Sequence, residues 1–495
     1  MHASIIRVSI ASGVAAALSI IGVSGASAAG THAQVPGRAP AGAAPHAAAG
    51  PGMQAWIQRY NGTRAGDDDA SLVAVSPAGA TVYVTGKSHS PGTASGYDYA
   101  TVAYDAATGA RQWVTRYNDP GNGNDVPSSV AVSPTGGTVY VTGQSDGGTA
   151  LGYDYATVAY DAATGAQLWV TRYDGPGHDT DQANSISASP TGGTVVVTGY
   201  SVGAGSGDYA TVAYDAATGA QLWVKRYDGP GHNTDQANSV AASPTGNTVY
   251  VTGSSYGAGS AADYATIAYN AASGAQLWVK RYDGPGHMGD DAGSLAVSPS
   301  GGTVFVTGSS YGGNASANDY ATAAYDAATG APLWVKRYNG PRGGHDFASS
   351  VAASPTGGTV YVTGQSHAAG SAQNSDYATV AYDAATGAQL WVQRYNGTGS
   401  GIDAATSVAV SHTGGTVYVT GHSFGGTASG YDYATVAYAT TTGAQLWAKR
   451  YNGTGSGTDQ ASSVAVSPTG NTVFVTGHSA GATSGDDYVT IGYNG

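Results

Sequence analysis

Carboxylates held in register are the first chemistry this sequence offers. Asp68, Asp125, Asp181, Asp235, Asp290, Asp346, Asp403 and Asp459 each stand five residues ahead of the apolar residue that leads a strand-like run. Brought round a common axis, eight such loop carboxylates near a channel mouth would attract Ca²⁺ or another cation that prefers oxygen ligands. The same residues could instead each hold their own turn by accepting backbone N–H bonds. Histidines accompany them unevenly. His178, His232 and His287 lie three residues before a first-ring aspartate, His345 directly precedes one, and His89, His367, His422 and His478 follow a different strand-like run. Neutral imidazole beside carboxylate is a donor set that transition metals accept, although a histidine in an exposed loop is commonly only solvated.

A second series, Asp98, Asp154, Asp208, Asp263, Asp319, Asp376, Asp432 and Asp487, is followed in seven cases by an arginine 18 residues on, from Arg116 to Arg450. Folding a hairpin about its turn brings such residues nearly opposite each other, so cross-strand ion pairs are expected. Asp487 has no arginine after it, and its expected partner is Arg59, from the other terminus. A third series, including Asp105 and Asp161, belongs to a turn and reads as structural.

Composition narrows the chemistry. The net charge is −13, with only 18 Lys and Arg, which argues against nucleic acid as a partner. All 31 acidic residues are aspartate, so no glutamate is present for acid or base work. Cysteine is absent, which removes disulfides, thiolate nucleophiles and cysteine-ligated zinc. No GxSxG elbow and no recognisable serine triad context occur.

The elements that must position these residues follow from a repeat. Variants of AYDAATGAQLWVKRY, residues 213–227, recur along the chain, and their tryptophans, Trp56, Trp113, Trp169, Trp223, Trp278, Trp334, Trp391 and Trp447, lie 54 to 57 residues apart. A period of that length marks a repeat architecture. Each repeat has four strand-like runs. In the repeat that begins at Asp125 these are 128–134, 138–143, 153–161 and 167–173, joined by Gly-rich turns. Small side chains fill the first run, whereas Tyr and Trp dominate the last two, as expected for wedges that widen away from an axis. The fold expected is all-β: an eight-bladed β-propeller of four-stranded antiparallel blades. The last repeat stops after its third strand, so residues 54–60 are expected to pair with 486–493 and complete it.

Ahead of the propeller, 51–495, residues 1–28 carry Arg7, an apolar run and Ala26-Ser27-Ala28, the pattern of a secretory signal peptide. Residues 29–50 are rich in Ala, Gly and Pro and are expected to form a flexible leader. The loops after the second strand vary most, as between 200–207 and 365–375, and share a face with the first aspartate ring.

The turn and tryptophan strand resemble the AxDxxTGxxxW docking motif of quinoprotein-type propellers. Ala103, Asp105, Thr108, Gly109 and Trp113 match it, as do the copies ending at Trp169, Trp223, Trp334 and Trp391. The copy ending at Trp278 has Asn270 and Ser273, and that ending at Trp447 has Ala439 in the aspartate position. GNTVYVTG at 246–253 and DYATIAYN at 263–270 resemble the bacterial beta-propeller repeat (SBBP) family of secreted proteins. In quinoprotein dehydrogenases PQQ lies on a tryptophan beside a calcium, under a disulfide between adjacent cysteines. Here cysteine and glutamate are missing and every tryptophan occupies a docking position. The resemblance therefore implies the fold, with PQQ not expected and no resident cofactor expected, while Ca²⁺ stays open as a cation for the carboxylates on their own chemistry. The function expected is that of a secreted or cell-envelope-associated, monomeric, non-catalytic propeller, not inserted in a membrane once the signal is cleaved. It would bind a protein, a glycan or a cation through its variable-loop face. The alternative is a PQQ-dependent dehydrogenase-like or other secreted enzyme with its site over the central channel.

Overall fold

Alternation along TVYVTG sends Val139 and Val141 to one side of a strand and Tyr140 and Thr142 to the other, and none of the four is more than 3% exposed. A strand buried on both faces needs a sheet on each side of its own, and the repeat supplies them. The computed structural model describes residues 50–495 apart from 63–65, 90–95, 120, 148–151, 204, 314–316, 368–373, 400, 427–429, 456, 471 and 482–484. The expected signal segment, 1–28, lies outside the described residues, as does the expected leader, 29–50, apart from Gly50.

Among the described residues, 32 strands form eight four-stranded antiparallel sheets. Seven are continuous in sequence, spanning 68–117, 125–173, 181–227, 235–282, 290–338, 346–395 and 403–451. The eighth takes its three inner strands from 459–494 and its outermost from Gln54–Tyr60. Trp56 pairs with Gly492 and Tyr60 with Tyr488, which is the closure expected from the sequence. Strand bounds differ modestly from the sequence reading. The innermost strand of the second blade is Asp125–Val132, so it begins three residues earlier and takes in the first-ring aspartate.

Adjacent blades are pinned at the outer turns. Trp56 donates from Nε1 to the carbonyl of Ala106 in the next blade at 2.9 Å, and Trp113, Trp169, Trp223, Trp278, Trp334 and Trp391 do the same to Ala162, Ala216, Ala271, Ala327, Ala384 and Thr440. A glycine at positive φ lies on each indole. At Gly109 (φ +72) an added Cβ would sit 2.6 Å from Trp56 Cδ2, so the close approach and the left-handed backbone both require glycine. Trp447 meets its glycine across the seam. Gly52 (φ +73) covers it, with Gly52 N donating to Asn494 O and Asn494 N to Met53 O, so the docking turn of the eighth blade is assembled from two distant segments.

Candidate functional site

The innermost strand begins, and the second strand ends, on the face that also receives the chain arriving from the previous blade. Chemistry-bearing residues collect there. The first aspartate ring is held at 0% exposure in all eight copies. Asp181 accepts Gly175 N at 2.5 Å and Val202 N at 3.1 Å, Asp235 accepts Gly229 N and Tyr256 N, and Asp290 accepts Gly284 N and Tyr311 N. Asp68, Asp346, Asp403 and Asp459 make the same two bonds, and Asp125 accepts Asp119 N at 2.9 Å. The expected circle of carboxylates facing a channel mouth is therefore corrected. Each is the first residue of an innermost strand; seven clip an interblade loop to the second strand through backbone N–H bonds, and Asp125 holds its loop through Asp119 N. Of the two sequence readings, turn-holding is the one the geometry realises. Burial pushes these carboxyls upward, in Asp125 to about 6.

The second ring works with arginine. Arg116 donates to Asp98 Oδ2 at 2.9 Å, to Ser88 Oγ at 2.6 Å, to the Ser88 and His89 carbonyls, and to Tyr60 Oη of the preceding blade at 3.2 Å. Arg59 and Asp487, from the two ends of the chain, close the set at 3.0 Å within the eighth blade. A guanidinium with its fork filled by one carboxylate, one hydroxyl, carbonyls and a neighbour's phenol is a structural tie between wedges.

Three consecutive interblade loops depart from this uniformity. In the loops that follow Tyr173, Tyr227 and Tyr282 the next residue is Asp174, Asp228 or Asp283, whereas the other five blades carry Asn at that position (Asn61, Asn118, Asn339, Asn396, Asn452). The three aspartates coincide with the three histidines. His178, His232 and His287 each place Nδ1 2.7 Å from the Oδ2 of Asp174, Asp228 and Asp283, with imidazoles 65%, 78% and 74% exposed. The neighbouring carboxylate pushes each imidazole's pKa above its ordinary value. All three histidines have positive φ, near +47, a conformation for which other loops use Asn122 or Gly343.

Each of these aspartates joins a first-ring and a second-ring member, as Asp154/Asp174/Asp181, Asp208/Asp228/Asp235 and Asp263/Asp283/Asp290, with one oxygen of each within 4.8 Å of the others. Sequence reasoning missed Asp174, Asp228 and Asp283. Their substitution for asparagine in step with histidine was the available signal. Prior engagement limits these trios as ion sites. The first-ring oxygens accept backbone N–H bonds, and Asp154, Asp208 and Asp263 are held by Arg172, Arg226 and Arg281 at 2.7–2.9 Å. What the loops present outward is the imidazole–carboxylate pair.

A quinone cofactor needs a free aromatic floor, and the indoles here do not supply one. Each is at most 9% exposed and is covered by a glycine of the neighbouring blade. The residues present do not fit PQQ.

A family model described as outer membrane protein assembly factor BamB, a PQQ-like repeat, matches residues 154–374 and 318–486. No curated protein matches the sequence. Among solved structures, Sqt1 of Chaetomium thermophilum bound to the N-terminus of ribosomal protein L10 has a TM-score of 0.57 at 13% identity, covering 90% of this chain and 100% of its own. A europium-containing methanol dehydrogenase has a TM-score of 0.52 at 14% identity, covering 89% and 93%. The quinohemoprotein alcohol dehydrogenase of Comamonas testosteroni gives 0.50 at 16% identity, covering 89% and 76%. At such identities the likeness is one of fold.

Proposed function

The chain belongs to the PQQ-like propeller family whose model is described as outer membrane protein assembly factor BamB, and from that premise we propose that it is a secreted or cell-envelope-associated, non-catalytic binding module. It uses the loop face to engage a protein, a glycan or a cation. The observation that carries this reading is the run of three adjacent loops with exposed imidazole–carboxylate pairs at His178, His232 and His287, on a ring whose other polar residues are largely spent on holding blades together. Recognition residues set on a rigid, repetitive scaffold are the usual arrangement of a binding face. Support also comes from the fold likeness to Sqt1, which was solved bound to a ribosomal protein segment.

The test is calorimetry of residues 29–495 against Ca²⁺, Zn²⁺ and a panel of envelope glycans and extracellular proteins, repeated with His178, His232 and His287 all changed to Ala. Binding that the triple variant loses supports the reading, and binding that it keeps unchanged removes these loops from it. Dye reduction with alcohols or sugars after adding PQQ and Ca²⁺ would overturn the non-catalytic part.

A further inference from the structure

The seam between the eighth and first blades differs in chemistry from the other seven interfaces. Asp69 on the innermost strand of the first blade, His478 at the end of the second strand of the eighth, and Asp486 at the start of its third strand bring one ligand atom each within 4.8 Å of one another. His478 Nδ1 stands 3.9 Å from Asp69 Oδ1. That is too long for a hydrogen bond, but two donors each about 2.0–2.2 Å from a shared ion lie roughly 3–4 Å apart. Asp69 Oδ1 is buried and has no hydrogen-bond partner.

The repeat provides its own controls. At the other seven interfaces the residues equivalent to His478, Asp486 and Asp69 run, for example, Gln144, Tyr153 and Gln182, or Ser309, Asn318 and Phe347. None of the seven combines three ligand-type side chains, and only the fourth-to-fifth interface carries even an aspartate, Asp291. Blade packing therefore does not demand the trio.

Charge points the same way. Asp67, Asp69 and Asp486 crowd together, with Asp67 Oδ1 accepting Asp486 N at 3.3 Å, and Lys87 is bonded to Asp69 Oδ2 at 2.7 Å. Three carboxylates against one ammonium leave two negative charges, which a divalent cation would balance. Lys87 fixes one oxygen of Asp69 and leaves the other directed to the imidazole side.

We propose that Asp69, His478 and Asp486 bind a divalent first-row transition metal at the seam of the ring. Two carboxylates and one imidazole form an intermediate donor set of the kind Zn²⁺ or Mn²⁺ accepts. Three protein ligands leave a coordination position for water or for a group from a partner. The ion would also link the first blade to the eighth, the blade whose strands come from the two ends of the chain.

This inference names a cation for the proposed loop face and rests on that reading only in sharing the face. Residues 29–495, stripped of metal with EDTA, are titrated with Zn²⁺ by calorimetry and with Co²⁺ by visible absorption. One equivalent is expected, with His478→Gln and Asp486→Asn each weakening binding at least tenfold. Gln144, Gln365 and Asn318 occupy the corresponding positions in other blades, so these variants keep the fold, and an unchanged melting temperature without metal verifies it. The His178→Ala, His232→Ala, His287→Ala variant is expected to retain the seam ion. No binding by the wild-type chain, or binding unaltered by His478→Gln and Asp486→Asn, overturns the proposal. A ring that binds Zn²⁺ at the seam but no protein or glycan keeps this inference and loses macromolecule binding from the proposed function.

Discussion

Replacing Trp56 with alanine tests the seam where its energy is concentrated. The indole is 6% exposed, donates to Ala106 O at 2.9 Å, and packs with ring centroids 6.1 Å from Tyr104 and 5.7 Å from Phe474. Truncating a buried aromatic side chain costs about 3–5 kcal/mol, and orphaning the Ala106 carbonyl adds about 1 kcal/mol. The total is about 4–6 kcal/mol. With an unfolding entropy near 2.1 cal/mol/K per residue, a body of roughly 445 residues has an entropy of about 0.9 kcal/mol/K. A ring that melts as one unit should therefore lose about 4–6 °C. Differential scanning calorimetry of Trp56→Ala beside Trp223→Ala, whose indole is 7% exposed and bonded to Ala271 O at 2.9 Å, should give equal shifts. A loss below about 1 °C for Trp56→Ala beside the full loss for Trp223→Ala would refute the claim that the first strand is an equal member of the eighth blade.

Gly109→Ala should cost at least about 1–3 kcal/mol in denaturant unfolding through its left-handed backbone, while Gly193→Ala, which meets nothing within 4 Å, should stay within about 0.5 kcal/mol of wild type. Asp125 takes its proton more readily when folded, so its contribution to stability is complete below its ordinary value of 3.8 and is lost as pH rises through about 6. Asp125→Asn should abolish that part of the pH dependence, and parallel stability curves for the two proteins across this window would contradict the burial argument. For His178 the raised pKa means stabilisation present below 6.5 and lost as pH rises through the folded value. Asp174→Asn should lower the imidazole's titration midpoint in an NMR titration, and an unmoved midpoint would show that the 2.7 Å pair does not persist in solution.

Much of the fold was legible because blades repeat. The tryptophan interval, the docking turn and the truncated last repeat led to the ring and to the pairing of 54–60 with the end of the chain, and the 18-residue spacing led to the Asp–Arg ties. Side-chain direction was not legible in the same way. Asp68 and Asp69 are adjacent on one strand, yet the first is sealed under two backbone amides while the second reaches the seam group, because neighbouring residues on a strand face opposite sides. The spacing that singled out Asp68 carried no sign of what Asp69 would meet. The seam group was hidden for another reason. Its members lie more than 400 residues apart, on Asp69 and on His478 and Asp486, and only closure makes them neighbours.

Closure also sets an order of events. Arg59 and Asp487 are separated by 428 positions, so during synthesis the first strand emerges long before the strand it will pair with. Until then Trp56 and Tyr60 can lie only against the first blade, through Tyr104, Ala106 and Arg116, while the side that Phe474 and Tyr488 will cover stays open to water. The interior blades can assemble with neighbours that have just left the ribosome. The first strand alone must wait for its hydrogen-bonded partner until the whole circle behind it exists.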